Sequence, residues 1–343
     1  MDKTTTNRNK RLIWQIPFLT LLIVGTILII RQQHSMPYQK CTGLIFGTTY
    51  HITYQHDDDL HAELLAKLKE VDATLSMFNE QSTITQINNN KDVKPGKMFV
   101  DVFQLAQKVS KDTDGAFDIT VAPLVNIWGF GFKKGLTPNN QAIDSLRAFI
   151  GYQKVSYDGK HIVKKDPRIM LDCSAIAKGY GVDVAARLLD EKGIENYLVE
   201  IGGEVVTKGI SEKRLPWKIG VTKPTDEPLA DGGELQTVLN VTDKAMATSG
   251  NYRNFYYKGG RKYAHTIDPK TGHPVQHNIL SATVLCNTCA RADAYATAFM
   301  VMGLEKAQKV LERNPDLMAY FIYDKNGKNA VWYSPSLKNK ILE

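Results

Sequence analysis

Residues Leu12–Ile30 form an uncharged run of 19 residues, LIWQIPFLTLLIVGTILII, which constrains this chain more than any other feature. A helix rises about 1.5 Å per residue, so such a run nearly spans the ~30 Å hydrocarbon core of a bilayer. Lys10 and Arg11 precede it and Arg31 follows it. Basic residues on the N-terminal flank hold that end in the cytoplasm. A cleaved signal peptide has a similar outline, but no small-x-small site follows; the chain continues Arg31-Gln32-Gln33-His34. Tyr38-Gln39-Lys40 before Cys41 is not the small-residue approach of a lipidation signal. The expected organisation is a cytoplasmic tail over 1–11, a single-pass anchor over 12–30, a short polar linker over 31–42 and a folded body over 43–343. That body then lies on the extracytoplasmic side of the cytoplasmic (inner) membrane.

The net charge of +7 has to be divided before it is read. Of 43 basic and 36 acidic residues, residues 1–31 hold five and one: Lys3, Arg8, Lys10, Arg11 and Arg31 against Asp2. More than half of the excess therefore belongs to the anchor. The body is nearly balanced and shows no basic stripe, so no nucleic-acid partner is expected. With 43% hydrophobic and 23% charged residues, a disordered or low-complexity chain is excluded. Four cysteines in 343 residues do not make a disulfide scaffold of the small secreted type.

Patterning along the body predicts mixed elements. A β-branched, aromatic strand is expected over Leu44–Tyr54, and a helix over Leu60–Val71 follows the acidic turn Asp57-Asp58-Asp59. Further helices are expected over Val100–Ser110, 175–192 (stopped by Gly193), 291–302 and 304–313. Strands are expected over Ile162–Leu171, 197–201, 217–222, 236–241, 281–286 and 318–323. There is no regular βαβ alternation and no fixed repeat, so the expected class is α+β with mixed sheets and packed helices.

Several motifs fail. Gly129-Phe-Gly131-Phe-Lys-Lys-Gly135 has neither dinucleotide-fingerprint nor P-loop spacing. Cys286-Asn-Thr-Cys289 has no second pair to complete a four-thiolate zinc site; outside the cytoplasm it could form a disulfide, but it reads first as two small hydrophobes at a strand end. Three polar groupings remain. Asp293 and Thr297 stand at i and i+4, on one helix face, as oxygen ligands for a hard cation or as an ordinary polar face. Asp172 and Lys178 flank a helix start, a favoured phosphate location or simply a capped terminus. His265 precedes the tight turn Asp268-Pro269-Lys270-Thr271-Gly272, as a base or as a turn residue bonded to backbone.

Taken in order, these segments resemble the FAD:protein FMN transferase (ApbE) family. The matching stretches are Phe46-Gly-Thr-Thr-Tyr50, Leu75-Ser-Met-Phe-Asn-Glu-Gln-Ser82 with Asn88, and Asp114-Gly-Ala-Phe-Asp-Ile-Thr120 with Pro123-Leu and Trp128-Gly-Phe. They continue with Leu171-Asp172 to Lys178-Gly-Tyr-Gly-Val-Asp183, Gly202-Gly-Glu204 and Ala247-Thr-Ser-Gly-Asn-Tyr252. The last are His265-Thr-Ile-Asp-Pro-Lys-Thr-Gly272 and Ala292-Asp-Ala-Tyr-Ala-Thr297. The resemblance implies a flavin transferase fold of α+β type that binds FAD as substrate together with Mg²⁺. It implies that Phe46, Phe78, Ala116, Phe117, Asp118, Asp172, Lys178 and Ile267 line the FAD. Asp293, Thr297 and the backbone carbonyl of Ala175 are implied as metal ligands. Phe46 stands where methionine is common in the family, Phe78 where Tyr or Trp is common, and Cys173 where an aliphatic residue is usual.

The implied reaction is Mg²⁺-dependent transfer of FMN from FAD to a Thr or Ser hydroxyl of a target protein, with AMP leaving. The target hydroxyl must lose a proton as it attacks, and His265 is the candidate base, with Asp268 as an orienting or alternative group. The expected partners are membrane-associated redox subunits carrying the acceptor hydroxyl. The alternatives are an FAD pyrophosphatase giving FMN and AMP, and a non-enzymatic flavin-binding or delivery protein.

Overall fold

The computed structural model describes residues 4–131, 138–225, 234–251, 255–258 and 261–342. Phe132–Gly135 of the glycine-rich stretch and Tyr252 lie outside the described residues. In chain order the helices are α1 (Thr4–Ser35), α2 (His61–Leu75), α3 (Thr83–Asn88), α4 (Lys97–Asp112), α5 (Ala122–Ile127), α6 (Asn140–Arg147), α7 (Ser174–Glu191), α8 (Cys289–Met302) and α9 (Leu304–Arg313). The first strands are β1 (Tyr38–Ile45), β2 (Thr48–Gln55), β3 (Val155–Tyr157), β4 (Ile162–Lys164), β5 (Tyr197–Ile201), β6 (Glu204–Lys208), β7 (Lys218–Thr222) and β8 (Leu235–Asn240). They are followed by β9 (Ala245–Gly250), β10 (Phe255–Lys258), β11 (Arg261–Ala264), β12 (Ile279–Cys286), β13 (Met318–Lys325), β14 (Lys328–Tyr333) and β15 (Ile341–Leu342).

The main sheet has eight strands in the order β1-β2-β5-β6-β9-β12-β13-β14, with antiparallel neighbours throughout. Helices α7 and α8 pack against each other; α7 lies along β5 and β6, and α8 along β9 and β12. The opposite face carries a second sheet, β15-β8-β7, closed by Val221, Leu239, Met246, Leu285 and Ile322. Central β12 is thus covered on both sides, which explains why seven of its eight residues are buried and its sequence does not alternate.

Each helix buries the face its sequence prepares. In α4, Phe99, Val102, Phe103, Ala106 and Val109 recur at helical spacing and are buried. Helix α8, CARADAYATAFMVM, is apolar almost all round and is buried almost all round. Its alanines let α7 come close: a Cβ on Gly179 would stand 2.4 Å from the Cys289 carbonyl oxygen. The α7–α8 contact is therefore a backbone-to-backbone approach that only glycine permits at this point.

Three expectations change. The strand over Leu44–Tyr54 is a hairpin, because Phe46 (φ 52°) and Gly47 (φ 72°) form a two-residue turn between Ile45 and Thr48. The linker over 31–42 is the end of α1 and the start of β1, because Tyr38–Thr42 pair with His51–Gln55. The strand over Ile162–Leu171 stops at Lys164, where its ammonium gathers the carbonyls of Ile87, Pro167 and Ile169 at 3.0–3.2 Å and the chain turns.

Helix α1 includes one window, Gln15–Gln32, long and apolar enough to cross a membrane, and none of it is buried against the body. A signal sequence near an N-terminus has the same properties.

The close approach yields a stability prediction. Gly179→Ala should destabilise the fold by about 1–3 kcal/mol, as overpacking against backbone does. Urea unfolding of the two proteins measures it; an unchanged midpoint would show that the helices separate freely.

Candidate active site

The site is assembled at the N-terminal turn of α7. Asp172 precedes it and accepts the Ser174 N–H at 2.7 Å, capping the first turn. Its own N–H donates to Ile119 O at 2.6 Å, and the neighbouring Leu171 is clamped on both backbone atoms by the Asn88 amide at 2.7 and 2.9 Å. The 118–120 segment is thereby laid beside the α7 start. There the Asp118 carboxylate accepts from Thr120 N–H and O–H (2.8 and 2.7 Å) and from Tyr152 N–H (2.8 Å). Burial pushes both the Asp118 and Asp172 carboxyls up from the usual range.

Lys178 emerges one turn into α7. Its ammonium meets Glu204 Oε1 at 2.7 Å, with the glutamate side chain 4% exposed and the lysine side chain 30% exposed. Burial alone would lower the Lys178 pKa, but Asp293 and Glu204 together outweigh it and hold the ammonium charged. Glu204 is presented by the two-residue Gly202-Gly203 turn (φ 62° and 100°) between paired Ile201 and Glu204, a left-handed turn that glycine makes freely.

Asp293 approaches from α8. Its Oδ2 accepts the Gly179 N–H at 3.1 Å, and that N–H is the group that a regular helix directs at the Ala175 carbonyl. The two oxygens expected to share a cation therefore flank one N–H. Thr297, one turn further along α8, places its hydroxyl 3.0 Å from Ser249 Oγ. Burial raises the Asp293 pKa, opposed by the Lys178 charge. Carboxylate, carbonyl and hydroxyl form an all-oxygen set that suits Mg²⁺ in kind. Among the described residues there is no cluster of three or more His, Cys, Asp or Glu that could hold a metal.

A cavity of about 450 Å³ opens beside Lys178, with Phe46, Phe78, Ser174, Ala177 and Asp72 on its walls. Phe46, Phe78 and Lys178 are the expected flavin contacts that it brings together. Phe78 is 71% exposed, an aromatic ring held out at the cavity edge. Ala116 is buried in the loop after α4, Phe117 packs in the main core, and Ile267 joins the small cluster of Leu124, Trp128, Ile143 and Ile150. The side chains of Phe117 and Ile267 are thus committed to packing, leaving their backbone to offer a ligand.

His265 follows β11, half-buried, with its ring edge-to-face against Phe130 at 6.4 Å. Phe130 belongs to a run of rings, stacked on Tyr256 at 5.3 Å, which stacks on Tyr263 and then Trp128. Sequence reasoning missed this wall, whose only local signal is the recurrence of aromatics in 128–130 and 255–263. The Asp268 carboxylate accepts the Lys270 N–H at 2.8 Å, and its backbone closes the turn with Gly272 and His273. It shapes the loop, and Lys270 ties that loop to Asp114 by an ion pair. Glu204 and Asp183 were legible only as parts of motifs, without roles.

Asp183 holds the site together from α7: its carboxylate caps α8, accepting Cys289 N–H at 2.7 Å and Ala290 N–H at 2.9 Å. All four cysteines, Cys41, Cys173, Cys286 and Cys289, are free and buried, and Cys286 and Cys289 are thus the small hydrophobes expected at the end of β12.

The chain is similar to proteins of known family. The ApbE family profile matches residues 46–321. An FAD:protein FMN transferase of Vibrio cholerae serotype O1 is 37% identical over 284 residues, covering 80% of this chain and 84% of that protein. One from Klebsiella pneumoniae is 36% identical over 314 residues, 88% of each chain. The solved flavin transferase ApbE from Vibrio cholerae superposes with a TM-score of 0.81 at 34% identity, over 89% of this chain and 99% of that one. The apo form of Pseudomonas stutzeri flavinyl transferase ApbE gives 0.79 at 31%, over 89% and 97%. The chain belongs to the ApbE family.

Asp183 also sets a pH dependence. Burial outweighs its two backbone donors and pushes its pKa up to about 6. A raised folded-state pKa means that the stability contributed by Asp183 is full below about pH 4 and is lost as pH rises through about 6. The unfolding free energy of wild type minus that of Asp183→Asn should therefore fall between those values and level off above them. A difference that grows with pH would contradict the assignment.

Proposed function

We propose that this chain transfers FMN from FAD to a Thr or Ser hydroxyl of a target protein, with Mg²⁺ and with release of AMP. That it is a flavin transferase, an enzyme, follows from its family. The finer reading rests above all on Lys178, whose ammonium opens onto a cavity walled by Phe46 and Phe78 while two carboxylates lie behind it. A cavity of that size suits a dinucleotide's apolar ring, and a retained ammonium suits its pyrophosphate.

In the reaction, the target oxygen attacks the FMN-side phosphorus. A phosphoester bond forms, and the bond from that phosphorus to the bridging oxygen breaks, so AMP departs with the bridging oxygen. When bound, Mg²⁺ supplies neutralisation of the phosphate oxygens, and Asp293, Thr297 and the Ala175 carbonyl are the residues that would hold it. Lys178 binds the pyrophosphate and offsets its charge. Phe46 and Phe78 contact the apolar rings, while Ala116, Phe117, Asp118, Asp172 and Ile267 form the remaining FAD wall. His265 accepts the proton of the attacking hydroxyl, and Asp268 holds the loop that carries it.

The α1 window serves as a single-pass anchor in the cytoplasmic membrane, with the catalytic body outside the cytoplasm, where it meets membrane-associated redox subunits carrying the acceptor hydroxyl. Its support is the exposed apolar surface of α1 and the basic residues before it. Intact-mass analysis of protein extracted from membranes tests the anchor: retention of residues 1–30 is expected, and their absence would mark a cleaved leader.

His265→Ala should keep FAD binding within about threefold of wild type and slow single-turnover transfer by roughly 10²–10⁴-fold. Undiminished transfer would remove His265 from the role. Asp293→Ala should abolish Mg²⁺-dependent turnover, and full activity at low Mg²⁺ would remove Asp293 from the ligand set. Both assays follow covalent flavin on the acceptor and AMP; AMP release at an equal rate without acceptor would point to a hydrolase instead.

A further inference from the structure

Glu204 has no part in the chemistry above, yet it is one of the most deeply buried carboxylates in the chain. Its side chain points from the first position of β6 to the α7 side of the main sheet, where it takes the Lys178 ammonium at 2.7 Å. The Gly202-Gly203 turn sets that position: at Gly202 φ is +62°, and a Cβ there would stand 2.8 Å from Thr48 Cγ2. Two carboxylates, Glu204 and Asp293, thus act on a single ammonium at the edge of the cavity. The ammonium carries three donors, and of the two carboxylates Glu204 is the one that stands in contact with it. The structure assigns its contact to Glu204, while the Asp293 carboxylate takes its hydrogen bond from the neutral Gly179 N–H.

We infer that Glu204 is a positioning residue that holds the Lys178 ammonium on the β6 side and so keeps the Asp293 carboxylate available to a divalent cation. The inference rests on the reading of Asp293 as a cation ligand. Without the Glu204 charge, Asp293 becomes the nearest strong partner for Lys178. The ammonium then competes with the metal for the same oxygens. Partners that orient a ligand from behind change metal affinity by roughly 10–100-fold, which sets the size of the expected effect.

The test is Mn²⁺ binding to the full chain without FAD, followed by the electron paramagnetic resonance signal of free Mn²⁺, so that no turnover is needed. Circular dichroism melts confirm that each variant is folded. Glu204→Gln should weaken Mn²⁺ binding by roughly 10–100-fold. Adding Lys178→Met to that variant removes the rival cation and should restore binding to at least the wild-type level, which a merely structural role for Glu204 would not do. Lys178→Met alone should bind at least as tightly as wild type, and this arm holds even where Glu204→Gln fails to fold. Unchanged binding by Glu204→Gln, no recovery in the double variant, or weaker binding by Lys178→Met would each overturn the inference. Failure of the underlying reading looks different: wild type would bind no Mn²⁺, or Asp293→Ala would bind it as wild type does.

Discussion

The contact between α7 and α8 is the constraint on which the rest of the molecule depends. It is tied by the hydrogen bonds of two carboxylates that reach in opposite directions. Asp183 on α7 caps the N-terminus of α8, and Asp293 on α8 takes the N–H of Gly179 on α7. Gly179 makes the approach possible because its missing side chain lets the Cys289 carbonyl come within reach of its backbone. A helix N-terminus favours negative charge, so the Asp183 bond is electrostatically apt even at the cost of burying a carboxylate. With the two helices held at this distance, the Asp293 carboxylate reaches the first turns of α7, where Ala175 and Lys178 stand.

Charge in this site is arranged by partition rather than by sum. One half-buried ammonium and two buried carboxylates meet where α7, α8 and β6 come together, and burial raises the Asp293 pKa against the pull of the Lys178 charge. Such an arrangement is costly in an isolated protein, and the proposed cation and pyrophosphate would offset that cost. The cavity supplies the complementary apolar half. Phe46, held in a left-handed conformation at a hairpin tip, and Phe78, exposed at the edge, are placements that a stability-optimised surface would not choose.

Most of the strongly patterned elements are legible in the sequence: α4, α7, α8, α9, β5, β7, β8, β12 and β13 lie where periodicity and breakers predict them. The misses have a common cause. Strand β9, AMATSG, is rich in small residues and lacks the branched run of a typical strand; it is extended because it pairs with β6 on one side and β12 on the other. The β1–β2 hairpin is hidden because a phenylalanine occupies a turn position that usually carries Asn, Asp or Gly. Asp118 and Asp268 show why a polar residue in a motif is hard to interpret from sequence: their carboxylates are bonded to nearby backbone, shaping the loops.

By itself the sequence determined the apolar N-terminal helix, the α+β class, the family, the i and i+4 spacing of Asp293 and Thr297, and a lysine within two turns of a helix start. These are local properties, set by the period of a helix and by short strings of residues. Only the tertiary structure decided that Glu204 rather than Asp293 contacts Lys178, that Asp183 caps a helix more than a hundred residues away, and that Phe46 and Phe78 share one cavity. The reason is physical. Which charge meets which across a buried junction depends on strand order and helix separation, and a few tenths of an ångström of backbone approach at Gly179 carry no signature in the local pattern.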